Sequence, residues 1–482
     1  MLKSALVFLI INSIIIFFCV KVNLKSQSTM NIRKIKRSRF DSLAAYARDP
    51  RVKLMGREVA WYETEDKSIV SCIIQDYTDE DFFGILMARD ESERYRYIDN
   101  AGWNDNLALS ETALLNKIQE IHKNIDKERL QGGIHKAPVD FFTPLKKTKN
   151  KLSPLFNELI SNSFYASAKN IIEPMMRWYD DADGNFIEQF QTTGFNQRIW
   201  ELYLFALLTE NDILFNQKEA IPDFICESFH GDFCIEATTV NPTIIDGKEE
   251  QLPQHHNSKD FEDIINNYYP IKYGSALFSK LNKKYWERPI CKNKPLVFAV
   301  TDCLSPASGK ESRYSLLCYL YGYRHETKVD DNGSVTIVPV KIEEHIWGKK
   351  VIPSGFFNLP GAENISAVIF SNDASFGKFN RMGLLNEFAP EGSEMVRTGL
   401  GIIHDANTVR SQPFCFDVGS PSYREMWSEG LEVYHNPNAL YPLSRNVFPK
   451  AANHYLLADG QIESYYPDFH PLGSITNVKS LG

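Results

Sequence analysis

The chain has 482 residues, 43% of them hydrophobic and 24% charged, with a formal net charge of −8. Such a composition describes a globular protein of about two to four domains at roughly 100–200 residues each, and it excludes a disordered chain. The acidic balance excludes a general electrostatic coat for nucleic acid, so any such contact has to be a local basic groove on an acidic body.

Residues 5–20 form an apolar run broken only by Asn12 and Ser13. It falls short of the roughly 20 residues a spanning helix prefers. Lys3 is the one early basic residue and no A-x-A cleavage site follows. Two readings stand for residues 1–29. The run is a membrane anchor, with the basic excess of Lys21, Lys25, Arg33, Lys34, Lys36 and Arg37 keeping the body inside. Alternatively, translation begins at Met30 and the upstream segment is a start-site artefact. The expected location is cytoplasmic, or anchored to the inner membrane facing the cytoplasm.

A first α+β unit is expected over residues 30–150. Alternating stretches within 57–99 predict a small antiparallel sheet. Residues 110–125 predict a helix with Ser110 as N-cap and Leu114, Ile118 and Ile121 at core spacing. Gly132, Gly133 and the run Lys146, Lys147, Lys149 and Lys151 then read as a linker. Residues 194–211 predict a helix, with Phe195, Ile199, Leu202, Tyr203 and Ala206 facing a core. Glu201 lies inside that apolar run, where a carboxylate has to be paired, protonated or aimed at a cation.

Residues 222–239 predict a β-hairpin turning at His230, Gly231 and Asp232 and carrying the acids Asp223 and Glu236. On its second strand Cys234, Glu236 and Thr238 share one face, while Phe233, Ile235 and Ala237 share the other. A polar insertion spans 246–260. Residues 271–286 then predict a helix, and 295–301 a continuous apolar strand. Further on, 312–326 predicts a helix, 329–340 a hairpin around Asp331, Asn332 and Gly333, and 365–371 another strand. After about Ala374 the chain turns rich in Pro, Gly, Asn and aromatics and predicts loops and short strands.

Two nearby carboxylates suit a hard divalent cation, which takes oxygen ligands and keeps several waters. Residues 272–294 hold seven basic side chains against the single acid Glu287. Among them Lys272, Lys280, Lys283, Lys284 and Arg288, with Trp286 interleaved, predict a surface for backbone phosphates and stacked bases. Eight cysteines are scattered without a CxxC pair, as expected of reduced core residues, Cys226 and Cys234 being the pair nearest a shared turn. Ser308-Gly309-Lys310 lacks the flanks of a phosphate loop, and Asp181-Ala182-Asp183-Gly184 lacks the spacing of a calcium loop. His255 and His256 read as an exposed pair. His435, His454 and His470 form the second candidate catalytic set.

The order acidic helix, strand, strand, helix, buried strand, with these acids, resembles the PD-(D/E)XK nuclease superfamily over about residues 165–373. Asp223, preceded by Pro222, matches the PD element. Glu236 matches the acid of E-X-K, Ala237 its middle residue, and Glu201 the acid of the family's first helix. The run EATTVNP from Glu236 is more loosely similar to uncharacterised bacterial proteins. The resemblance implies an α/β (α+β) restriction-endonuclease-like core, with a mixed central sheet flanked by helices and a C-terminal extension over 374–482. It also implies Mg²⁺ or Mn²⁺ held by Asp223, Glu236 and the Ala237 carbonyl, hydrolysis of nucleic-acid phosphodiesters (DNA before RNA), and a part in defence against foreign DNA. One departure stands out: the motif lysine is Thr238. Either a lysine of the next helix, Lys280, Lys283 or Lys284, takes over its task, or the site is inactive and the domain binds nucleic acid or protein.

Overall fold

The computed structural model describes residues 30–130, 138–179, 181, 184–217, 221–245, 248–254, 256–304, 309–329, 332–404 and 411–479. The proposed anchor or start-site segment, Gly132 and Gly133, His255, Ser308 of the phosphate-loop-like run, two residues of the calcium-loop-like run and Asp331 lie outside them. Among the described residues no helix is long and apolar enough to cross a membrane. The chain forms two compact units. One takes Met1–Thr143, Lys169–Tyr179 and Gly383–Ala389, the other Pro144–Ala168, Asp180–Met382 and Pro390–Gly482.

The first unit is an antiparallel meander of β1 (Ile32–Lys34), β2 (Gly56–Thr64), β3 (Ile69–Asp76), β4 (Phe82–Arg89) and β5 (Tyr95–Asn104). The period-2 pattern of β3 explains its two-sided burial. Val70, Cys72 and Ile74 pack with Phe40 and Leu43 of α1 (Arg37–Ala44). Ile69 and Ile73 pack with Leu114 and Ile118 of α2 (Leu107–His122). The cap of α2 differs from the expected Ser110. Asn106 accepts the Leu109 N–H at 3.0 Å, so the helix starts a turn earlier and Ser110 is buried inside it. Arg39 and Glu63, both buried, form a two-pronged ion pair at 2.8 and 2.9 Å.

The second unit is mixed α/β, with a mixed eight-stranded sheet flanked by helices. Helix α3 (Phe195–Glu210) precedes β6 (Leu214–Asn216), β7 (Phe224–Glu227) and β8 (Phe233–Val240). The short pair β9 (Ile244–Ile245) and β10 (Lys248–Glu249) leads to α4 (Tyr269–Leu281), β11 (Leu296–Asp302) and α5 (Gly309–Tyr321). Two hairpins follow, β12 (Tyr323–Val329) with β13 (Val335–Lys341), and β14 (Glu344–Trp347) with β15 (Lys350–Pro353). Next come β16 (Ala367–Phe370), β17 (Glu394–Ile403), β18 (Ser411–Asp417), β19 (Glu432–His435), β20 (Ala452–Leu456), β21 (Ile462–Tyr465) and β22 (Phe469–Lys479).

The central sheet runs in the order β21-β20-β19-β16-β11-β8-β7-β6. Its middle strands β8, β11 and β16 are parallel, and β11 is buried along its whole length, as its unbroken apolar sequence requires. Cys234, Leu296, Phe298, Val300, Val368 and Phe370 face α4 and α5, whose Tyr273, Leu277, Leu281, Leu316 and Leu320 complete that core. The alternate residues Ile235, Ala237, Val297 and Ala299 point the other way. There Trp200 of α3 donates its indole N–H to the Ala299 carbonyl at 3.1 Å.

Three elements depart from expectation. The 271–286 helix stops at Leu281, because Lys284 takes a left-handed conformation (φ 49°) and Tyr285–Glu287 form a separate 3₁₀ turn. The 312–326 helix stops at Tyr321, where Gly322 (φ 76°) ends it and releases Tyr323 into β12. The region after Ala374 is not mainly loops. It supplies β19, β20 and β21 to the central sheet and builds a second sheet in the order β18-β17-β22. Gly399 permits that second sheet, since a Cβ there would lie 2.2 Å from the Gly473 carbonyl oxygen.

Candidate functional site

The strand β8 outruns its neighbour. The β7–β8 ladder pairs Phe224 with Ile235, Ile225 with Cys234 and Cys226 with Phe233, and ends there. Asp223 stands one residue beyond the ladder, opposite Glu236 by continuation of the register. Its carboxylate Oδ2 accepts the Ala237 N–H at 2.7 Å and so takes the place of a strand carbonyl. The same register turns Cys226 and Cys234 to opposite faces, and both are free thiols.

Glu236, 4% exposed, faces α4. Its Oε1 accepts from the Lys280 ammonium at 2.5 Å and from the Tyr285 hydroxyl at 2.8 Å. Its Oε2 is buried and has no hydrogen-bond partner. Burial, followed by the charges of Glu236 and Glu201, holds the Asp223 carboxyl well above the usual carboxylate range. The Ala237 N–H and Lys280 pull against that shift without cancelling it. The Tyr285 hydroxyl is likewise raised, by burial first and then by Glu236.

Glu201 is 2% exposed. Gln197 Nε2 donates to its Oε1 at 2.9 Å and Arg198 Nη1 to its Oε2 at 2.6 Å. Arg198 is held in turn by Asn185 at 3.0 Å and Gln189 at 2.7 Å. Pairing therefore explains the burial of Glu201, whose charge also acts on Asp223 through space.

The expected basic surface separates into parts. Lys280 reaches the carboxylates. Lys283 lies 6.0 Å above the Tyr285 ring and Lys284 pairs with Glu287 at 3.7 Å, both exposed. Arg288 is exposed as well. Trp286 is half-buried, packed on the core with Gly361 beneath its ring. Lys272 pairs with Glu250 at 2.6 Å, farther along α4.

The second candidate set divides. His454 and His470 lie around Glu432, His470 Nε2 being 3.3 Å from its Oε1, whereas His435 turns to Asn453 at 2.9 Å. Arg313 and then His470 keep Glu432 below its ordinary range although burial opposes them, and burial pushes His454 down to about 4. All three rings are buried. Enclosed imidazoles of this kind pack the sheet. His256 is exposed, and its N–H donates to Asp260 at 3.1 Å.

Sequence reasoning reached Asp223, Glu236 and Lys280, and the structure adds Tyr285, whose hydroxyl holds Glu236. It passed over Gln197 and Arg198, although their i,i+4 and i,i+3 spacing to Glu201 was a readable signal. Among the described residues no group of three or more His, Cys, Asp or Glu has metal-holding geometry. What fits a cation is narrower: one partnerless carboxylate oxygen on Glu236 beside a carboxyl that its neighbours repel. No family model, curated protein or solved structure matches this chain.

Proposed function

We propose that the second unit is a PD-(D/E)XK-type, metal-dependent nuclease that hydrolyses nucleic-acid phosphodiester bonds. The observation that carries this reading is the Lys280–Glu236 contact at 2.5 Å. It puts an ammonium beside the second acid, where Thr238 had left the motif without one. Asp223, Glu236 through its free Oε2, and the Ala237 carbonyl would hold Mg²⁺ or Mn²⁺. Such an ion, when bound, polarises the scissile phosphate and lowers the pKa of its water.

The chain's own groups do the rest. Tyr285 fixes Glu236 in one rotamer, leaving Oε2 free. Lys280 supplies positive charge where the phosphate gains negative charge, a task for which a fixed cation in a buried setting is well suited. The Ala237 N–H orients Asp223. Glu201, held by Arg198 and Gln197, adds to the negative field that favours a cation at Asp223.

The competing reading is an inactive binding module. The raised Asp223 carboxyl argues against it, because an unused cluster of buried like charges is unfavourable to folding. The test is cleavage of single- and double-stranded DNA and RNA by the full chain with Mg²⁺ or Mn²⁺, beside Glu236→Ala. Metal-dependent cutting that disappears in the variant is expected. Equal background in both refutes the enzyme.

A further inference from the structure

A cavity of about 580 Å³ lies farther along the groove between β8 and α4, lined by Thr239, Asn241, Tyr268, Lys272, Trp347 and Lys350 among others. A strand rises about 3.3 Å per residue, so Thr239 stands about 10 Å along β8 from Glu236. By the same reasoning Lys272 stands about 12 Å before Lys280 on α4, at 1.5 Å per residue. The cavity therefore lies about 10 Å from the carboxylates along the same two elements.

Its chemistry is mixed in an instructive way. One wall is cationic and rich in hydroxyls. Lys272 is held by Thr243 and Glu250, and the exposed Lys350 donates to Ser275. The other wall is aromatic. Trp347, half-buried, meets Tyr268 edge to face at 5.3 Å, and the Lys272 ammonium lies 5.1 Å from the Tyr268 ring. Glu250 neutralises one of the two lysines and keeps an acceptor at the rim. With Glu250 included the recess keeps a net positive charge, and this charge, the hydroxyl donors and the indole match a phosphate joined to a planar base. The volume also falls in the roughly 300–1,000 Å³ range of small-ligand sites.

We propose that this cavity seats one nucleotide of a single strand next to the cleavage site, its phosphate at Lys272 and Lys350 and its base on Trp347. The proposal rests on the nuclease reading for its choice of substrate. A recessed aromatic wall selects an unstacked base, so a single strand fits and an intact duplex does not.

The test uses the full chain in EDTA with a fluorescein-labelled 12-nucleotide single strand and its duplex, read by anisotropy over a salt series. Lys350→Glu and Trp347→Leu are measured alongside, with melting curves to establish that both fold. In parallel, a strand carrying 5-iodouracil is photocrosslinked to the wild type and the peptide mapped. Expected are tighter binding of the single strand, about tenfold weakening in each variant, a salt slope lower by about 0.7 in Lys350→Glu, and a crosslink on the Trp347 peptide. If the wild type cuts with Mg²⁺ but both variants bind as it does, or the crosslink maps elsewhere, the subsite is wrong and the nuclease stands. If binding depends on Lys350 and Trp347 yet no metal supports cutting, the subsite stands and the nuclease reading falls. If the wild type neither binds nor cuts, both are overturned.

Discussion

Replacing Asp223 by Asn is predicted to make the protein more stable at neutral and alkaline pH. In the wild type this carboxyl is desolvated and faces Glu236 and Glu201, while the Ala237 N–H and Lys280 favour its charged form. Its folded-state pKa is therefore raised. Between the ordinary carboxylate range and that raised value the folded chain holds a proton that the unfolded chain has lost. Stability must fall as pH rises across this window, by at most about 1.4 kcal/mol per pH unit for one proton. Asparagine keeps an acceptor for the Ala237 N–H, brings a donor among acids and cannot ionise. The expected gain at pH 8 is about 0.5–2 kcal/mol, of the size seen when strained functional groups are relieved. At the acid end of the window the gain shrinks. Melting in EDTA at pH 5, 6, 7 and 8 measures this directly. Mg²⁺ should restore the difference from the other side, stabilising the wild type by about 1.4 kcal/mol at ten times its dissociation constant and leaving the variant unmoved. A variant that is equally or less stable at every pH would show that these acids do not crowd one another, and the reasoning would be wrong.

Lys280→Met leaves Glu236 buried with Tyr285 as its remaining donor. It should cost about 2–4 kcal/mol in denaturant unfolding, most of it recovered in the double variant Lys280→Met/Glu236→Gln. Arg39→Met in the first unit leaves the buried Glu63 with Arg33 as its remaining cation and should cost about 1.5–3 kcal/mol, read by the same method. Gly399→Ala drives a Cβ onto the Gly473 carbonyl and should cost about 1–3 kcal/mol, with the loss visible as earlier melting.

Patterns with short reach were the legible ones. The apolar periodicity of 195–210 and the unbroken run of β11 gave their elements to within a residue or two, because burial on one or both sides writes itself into sequence. Asp223, Glu236 and Lys280 were reachable through a motif whose spacing reflects hairpin geometry. Elements decided by distant packing were not legible. The strands β19, β20 and β21 are short and lie among Pro- and Asn-rich segments, and their pairing with β16 and with one another is a tertiary fact. The turn that brings Tyr285 back to Glu236 depends on a left-handed Lys284, a conformation lysine rarely signals. Glu201 shows the reverse lesson: its partners sat one turn upstream in plain view.

The most direct measurement is a Mn²⁺ titration of the full chain followed by electron paramagnetic resonance, for the wild type, Asp223→Asn, Glu236→Gln and Glu201→Gln. The account predicts one tightly bound ion per wild-type chain, lost in Asp223→Asn and Glu236→Gln and retained in Glu201→Gln. Identical binding in all four, or none in the wild type, would contradict a cation site on β8.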